Sequence, residues 1–223
     1  CLVGSEMCIR DRLSMGHPIT LYDGPFTVES TCRVIKKYGI TNLTGSPTAY
    51  RMLIAAGAAF SSKIKGQLRV VSSAGEPLNP EVIRWFADEL NVTIHDHYGQ
   101  TEVGMVLCNH HGLDHPVHMG AAGFASPGHR IVVLDDNYQE LPVGQPGILA
   151  VDRSQSPMCW FGGYEGFKTK AFVGNYYLSG DTVELNPDGS ISFVGRSDDV
   201  ITTSGYRVGP FDVESALIEH PAV

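Results

Sequence analysis

The stretch LRVVSSAGEPLNPEVIRWFADELNVTIHDHYGQTE, Leu68–Glu102, decides the fold. It opens within QLRVVSSAG, Gln67–Gly75, which reads as a buried strand around Val70-Val71 followed by a glycine turn. Asn79-Pro80 then opens a helix over Glu81–Leu90, with Val82, Ile83, Phe86 and Leu90 on one face. Trp85 lies on the same helix and reads as packing. Val92–His95 is a second short strand. Strand, helix, strand is a βαβ unit, so this half of the chain predicts a parallel α/β sheet.

Upstream, Thr27–Gly39 carries Val28, Cys32, Ile35 and Tyr38 at helical spacing, with Gly39 as a stop. ITNLTGS, residues 40–46, is strand-like, and Ser46 caps a helix that has Pro47 at its first position and Gly57 just past its end. Downstream the text changes character. RIVVLDD, GILAV, NYYLSG, TVELN and SISFVG are short strands between turn signals, and Asn186–Gly189 is a hairpin loop. That half predicts an antiparallel, barrel-like region. After Gly195 a polar, glycine-rich joint leads to a final helix from Pro210, and a domain boundary is expected near Asp198. The first dozen residues, Cys1–Arg12, fit neither a signal peptide nor the pattern that follows. They read as a translated sequencing-adaptor stretch, and both ends read as those of a piece of a longer protein.

Composition narrows the class. The chain has 223 residues, 43% of them hydrophobic and 18% charged, which is ordinary globular usage. A net charge of -8 without a basic block argues against nucleic acid. No apolar run reaches the roughly 18 residues of a membrane span, so stable membrane insertion is not expected. Five cysteines without a CxxC favour a reducing cytoplasm over a disulfide framework. The 25 glycines and 13 prolines predict many turns.

Four motifs carry chemistry. Gly75-Glu76-Pro77 follows a strand, where open α/β sheets bind ligands, and a glycine there lets a flat ring approach the backbone. The same residues alone also make a plain strand-to-helix turn. His97–Glu102 offers, in one short loop, an aromatic face at Tyr98, a hydroxyl at Thr101 and a carboxylate for a hard cation at Glu102. Asp181, after a tight turn at Gly180, suits a ribose diol, though a solvated hairpin aspartate fits the pattern as well. Arg196 and Arg207 supply phosphate or ribose contacts, and the glycines between them permit a hinge.

In this order and spacing the motifs resemble the AMP-forming acyl-CoA synthetases of the adenylate-forming ligase superfamily, over about Leu13–Val223. The wording Y-G-Q-T-E and S-G-Y-R-V-G-P is similar to the acetyl- and medium-chain types. The resemblance implies part of a large N-terminal domain over residues 13–197, with its parallel βαβ portion and antiparallel barrel-like portion. Residues 198–223 then hold the hinge and the start of a small α+β domain. Such enzymes join a carboxylic acid to ATP, release pyrophosphate and hold an acyl-adenylate. They then rotate the small domain and pass the acyl group to coenzyme A.

By this resemblance, the backbone of Gly75, Glu76 and Pro77 lies against adenine and Tyr98 stacks on it, with Gly99 beside the nucleotide. Thr101 meets the α-phosphate, Glu102 holds Mg²⁺, and Asp181 binds the ribose hydroxyls with Arg196 close by. Asp198 matches the hinge, Arg207 the arginine of the thioester-forming state, and Ser204, Gly205 and Tyr206 the loop beside pantetheine. The acid is expected along Gly99 and Gly104. In this family a Trp after the Tyr closes the pocket to acetate, whereas Gly99 leaves a channel, which favours a medium-chain, branched or aromatic acid. The helix from Pro47 to Ala56 supplies more of the wall. Adenylation gathers charge at one phosphorus and needs positioning and electrostatic stabilisation instead of a protein nucleophile.

Two family features are not found. The Ser/Thr/Gly-rich phosphate loop belongs upstream of Leu13 and the catalytic lysine beyond Val223, and neither Lys168 nor Lys170 has the context to replace it. The chain alone is therefore expected to give no useful pyrophosphate exchange. Two other readings stand beside this one: an adenylation domain or carrier-protein ligase of the same superfamily, and a non-catalytic nucleotide-binding module.

Six of nine histidines fall between His95 and His118. His95-Asp96-His97 starts an HxH pattern, but Tyr98-Gly99 breaks its usual continuation, which favours a polar loop beside the acyl entrance over a metal site. Trp160–Tyr164 reads as a structural aromatic loop.

Overall fold

Three short parallel strands, β1 (Asn42–Gly45), β2 (Val70–Ser73) and β3 (Ile94–Gln100), carry the first half of the chain. The computed structural model describes residues 16–118, 120–157, 161–166, 168–197, 199, 201–203 and 206–218. The expectations for Cys1–Arg12, Trp160, Asp198, Ser204 and Gly205 lie outside the described residues. The chain divides into two units: Cys1–Thr101 with Asn109–Met119, and Glu102–Cys108 with Gly120–Val223.

In the first unit the first two helices begin on side-chain caps. Helix α1 (Val28–Lys37) starts on a reciprocal box: the Ser30 backbone N–H donates to Thr27 Oγ1 at 3.0 Å, and the Thr27 N–H donates to Ser30 Oγ at 3.1 Å. Its inward residues are Thr31, Cys32, Val34 and Ile35, while Tyr38 is exposed beneath the Lys37 ammonium. Helix α2 (Pro47–Ile54) has the Ser46 hydroxyl accepting from the Ala49 N–H, with proline in the first turn. Gly57 lies past the end of α2, as expected, with φ 51°, and a helix that was not anticipated, α3 (Ala58–Ile64), follows it and buries Phe60 and Ile64 four residues apart.

Helix α4 (Pro80–Leu90) buries Val82, Ile83, Phe86 and Leu90, as its spacing requires, and ends on Asn91 in the left-handed region. The core lies between α1–α4 and one face of the strands. Leu43, Val71 and Ile94 meet Tyr50, Phe60 and Phe86 there. Tyr50 and Phe86 are edge-to-face with centroids 5.1 Å apart, and Trp85 packs against Phe86 at 5.5 Å. The register sets Ser72 beside His95 and Ser73 beside Asp96. Strand β3 was expected to end at His95 and runs on to Gln100. Tyr98 and Gly99 are thus strand residues, and the turn begins at Thr101.

The second unit is antiparallel. Its strands are β4 (Gly104–Cys108), β5 (Ala121–Ala125), β6 (Ile131–Leu134), β7 (Pro146–Asp152), β8 (Phe172–Val173), β9 (Tyr176–Leu185) and β10 (Ile191–Arg196). They run in the order β4-β5-β10-β9-β7-β6, with β8 on β9. Strands β4 and β5 were not anticipated, because GMVLC and AAGFA hold few β-branched or aromatic residues and carry little β signal. NYYLSG and TVELN were expected as two strands around a turn at Gly180. They form the single ten-residue β9, in which Gly180 takes φ 76° without ending the strand.

The β9–β10 hairpin closes as predicted over Asn186–Gly189, with the Asn186 N–H bonded to the Ser190 carbonyl. Gly147 on β7 is required sterically, since a Cβ there would run into the Leu134 carbonyl oxygen. Leu134, Leu149, Ala150, Val183 and Ile191 are buried. A two-stranded hairpin, β11 (Ile201–Thr203) with β12 (Tyr206–Val208), and helix α5 (Pro210–Ile218) complete the described chain.

Candidate functional site

In the first unit the carboxyl ends of β2 and β3 carry the expected nucleotide residues. Gly75 has φ 98°, and a Cβ built on it would meet nothing within 4 Å. The turn is therefore glycine for its conformation, and its outer side is open to a flat group. The Glu76 side chain turns back onto α2. Its Oε2 accepts from the Thr48 hydroxyl at 2.7 Å and lies 3.7 Å from Arg51. Arg51 also donates to Thr48 Oγ1 and to Asn79 Oδ1, each at 3.0 Å.

Tyr98 is half-buried on β3, and its hydroxyl accepts from the Gln100 side-chain amide at 3.2 Å. Thr101 is exposed at the turn that follows. Asp96, two residues before Tyr98, accepts from the backbone N–H of His97 at 3.1 Å and from that of Leu78. Loss of water around its carboxyl pushes its pKa well above the usual carboxylate range, against the pull of those two bonds.

The histidine-rich segment Asn109–His118 belongs to this unit. The His95 and His111 rings stack at 3.8 Å and 9°, and His111 Nε2 lies 3.1 Å from Ser72 Oγ. His95 Nδ1 is 3.0 Å from the Asn109 carbonyl, and burial lowers its pKa. The His110 N–H donates to His115 Nε2 at 2.8 Å. Among the described residues no group of three or more His, Cys, Asp or Glu is placed to hold a metal ion.

In the second unit Asp181 is buried on β9, and its Oδ1 accepts from Arg196 Nη1 on β10 at 3.1 Å. Arg196 passes close over Gly180, where a Cβ would come 3.3 Å from its Nη2. The expectation of a turn before Asp181 is thus corrected: a positive-φ glycine inside a strand makes room for the arginine. The Glu102 carboxylate accepts from the Tyr164 hydroxyl, whose pKa this bond raises. Tyr164 packs on Phe161, which joins Phe172 and Tyr177 in an aromatic cluster. Gly104 has φ 77° with nothing within 4 Å of a built Cβ. Arg207 and Tyr206 pair with Thr202 and Thr203 across the β11–β12 hairpin.

Among the described residues Glu102 belongs to no group of three or more His, Cys, Asp or Glu side chains and offers one carboxylate. That donor set fits Mg²⁺, which is commonly held by one or two carboxylates together with substrate phosphates. Sequence reasoning passed over Arg51, Thr48, Asp96 and Tyr164. The i, i+3 spacing of Thr48 and Arg51 on one helix face was the only local signal.

A sequence profile of the family described as AMP-binding enzyme matches residues 9–164. An acetyl-coenzyme A synthetase of Bacillus subtilis (strain 168) is 40% identical over 204 residues, which are 90% of this chain and 35% of the relative. The human mitochondrial acyl-coenzyme A synthetase ACSM4 is 40% identical over 89% of this chain and 34% of its own length. A crystal structure of a Brucella canis acyl-CoA synthetase superposes with a TM-score of 0.79 at 60% identity, covering 95% of this chain and 39% of that one. The chain spans about a third of the length of the curated relatives it matches.

Proposed function

Because this chain belongs to the AMP-binding enzyme family, we propose that it carries part of the nucleotide- and acid-binding machinery of an AMP-forming acyl-CoA synthetase. The open, positive-φ turn at Gly75, at the carboxyl end of a parallel strand, carries this reading.

In the proposed reaction the acid's carboxylate oxygen attacks the α-phosphorus of ATP, and pyrophosphate leaves with the bridging oxygen. The thiol sulfur of coenzyme A then attacks the acyl carbonyl carbon, AMP leaves, and the thiol proton passes to solvent. Gly75–Pro77 present backbone to adenine and Tyr98 its ring. Asp181 accepts from the ribose hydroxyls, oriented by Arg196. Thr101 donates to an α-phosphate oxygen. When bound, Mg²⁺ neutralises phosphate charge as it develops, and Glu102 is the carboxylate that would hold it. Arg207 serves the thioester-forming state, with Ser204, Gly205 and Tyr206 beside pantetheine and Asp198 at the hinge.

The acid lies along Gly99 and Gly104, and the small residue after Tyr98 favours a medium-chain, branched or aromatic acid over acetate. In the whole protein Gly99→Trp shifts the ratio of kcat/KM values towards acetate. An unchanged ratio rejects this pocket. One or two methylenes are worth about 1–3 kcal/mol, so the shift is at least tenfold. The chain alone is proposed to give no useful adenylation, and the setting a reducing cytoplasm, in keeping with five cysteines and no CxxC. No described helix is long and apolar enough to cross a membrane. Calorimetric titration with AMP tests the core of the reading: saturable binding is expected, and its absence at millimolar AMP defeats it.

A further inference from the structure

Asn79 stands at the N-cap of α4, where its side-chain oxygen ordinarily accepts from the helix's own N–H groups. It makes no such bond, although it is only 4% exposed. Its Oδ1 accepts from Arg51 Nη1 on a different helix, at 3.0 Å. The other arm of Arg51, Nη2, donates to Thr48 Oγ1 at 3.0 Å, and Thr48 passes a hydrogen bond to Glu76 Oε2 at 2.7 Å. One guanidinium thus reaches Asn79 directly and Glu76 through Thr48, the two ends of the turn Glu76–Asn79. The middle of that turn is tied separately, by the Leu78 N–H to Asp96 on β3.

The base of this staple is anchored. Tyr50, between Thr48 and Arg51, buries its ring against Phe86 and donates its hydroxyl to the Ser72 carbonyl of β2 at 2.6 Å. Gly45 leaves room for that ring, with a built Cβ 3.3 Å from it. An isolated surface ion pair contributes little. Here the charged donor meets a buried amide, and a planar fork serves two acceptors, an arrangement an ammonium does not reproduce.

We propose that Arg51, with Thr48 as relay, is a positioning residue that fastens both ends of the Glu76–Asn79 turn to α2 and thereby sets the height of the nucleotide platform. The platform's role rests on the functional reading above, whereas the staple does not. It makes α2 and the turn move together, so a change in α2 is felt at the nucleotide. A helix that only supports the fold would not show this.

The test compares the 223-residue chain with Arg51→Met, Arg51→Lys and Thr48→Val. The first readout is amide hydrogen exchange at Glu76, Leu78 and Asn79. Arg51→Met is expected to speed it by about tenfold or more while α1 stays protected, with Arg51→Lys intermediate. The second is AMP titration, where the Kd rises by about fivefold or more in Arg51→Met. Thr48→Val, which keeps shape and removes the relay, gives the same direction and stands in if Arg51→Met does not fold. Unchanged exchange overturns the staple whatever AMP does. Faster exchange with an AMP Kd within about twofold of the parent overturns the positioning role. A parent chain that binds no AMP overturns the nucleotide reading and the platform role with it, while exchange still decides the staple.

Discussion

The two units hold their site residues in opposite ways. In the first, the expected groups sit at the ends of short parallel strands and on the turns beyond them, with a large aromatic core beneath. In the second, Asp181 sits inside a ten-residue antiparallel strand and reaches its arginine across the ladder. Parallel strands all point the same way, so their carboxyl ends gather loops at one edge and chemistry can be built there. Antiparallel strands offer no such edge. The second unit instead breaks its own regularity, with Gly180 at positive φ and register shifts in β9–β10 and β7–β9, to aim a polar side chain.

Stability should follow the same division. Phe86 is fully buried among Tyr50, Phe60 and Trp85. Phe86→Ala is expected to cost about 3–5 kcal/mol in the first unit, read from urea unfolding of Trp85 fluorescence. Leu134→Ala in the second unit, whose buried cluster of Val132, Leu134 and Ala150 is small, should cost nearer 2–3 kcal/mol. Equal losses would break the contrast.

A smaller effect sharpens the contrast through pH. In the second unit Asp152 accepts from the Ser154 hydroxyl and N–H and from Arg130, and these bonds hold its carboxyl below 3.8. Arg130 and Tyr176 likewise hold Glu140 below 4.5. Both contributions are complete above those ordinary values and are lost as pH falls through the lowered ones. Asp96 has the opposite sign. Its carboxyl is held well above 3.8, so its contribution is complete below that value and is lost as pH rises through the raised pKa.

Asp152→Asn is therefore expected to destabilise by about 2 kcal/mol at pH 7, with the loss fading towards pH 3. Asp96→Asn keeps an acceptor for the Leu78 and His97 N–H groups. It should leave stability at pH 7 equal to or above the parent, with the gap closing as pH falls. His95, half-buried with its pKa lowered by desolvation, adds a first-unit contribution that is full above 6.5 and fades as pH falls through its lowered value. Urea midpoints across pH 3–8 check all three signs. An Asp96→Asn loss matching that of Asp152→Asn would remove the contrast.

Much of the fold was legible locally. The helical spacing over Thr27–Gly39, the Ser46 cap with Pro47, the apolar face of α4 and the Asn186–Gly189 hairpin are all short-range chemistry that one stretch of chain can state. Gly180 was taken as a break because glycine usually marks one, and there a strand continues past a positive φ. Short β4 and β5, with GMVLC and AAGFA, carry too few β-branched residues to declare themselves.

For the site, the order and spacing of Gly75–Pro77, Tyr98–Glu102 and Asp181 through Arg196 were readable, because backbone turns and strand ends are local. What holds them was not. Arg51 meets Asn79 across 28 residues, and Arg130 meets Asp152 across 22. Periodicity reports which residues are buried, and it is silent about which partner each one faces. The sequence by itself determined the alternation of strands and helices, the caps and the family's motif order. Only the tertiary structure decided that a would-be helix cap serves Arg51, that His95 stacks on His111, and that Asp181 lies inside a strand. Those pairings depend on sheet order, register and helix placement, which are set when distant segments pack.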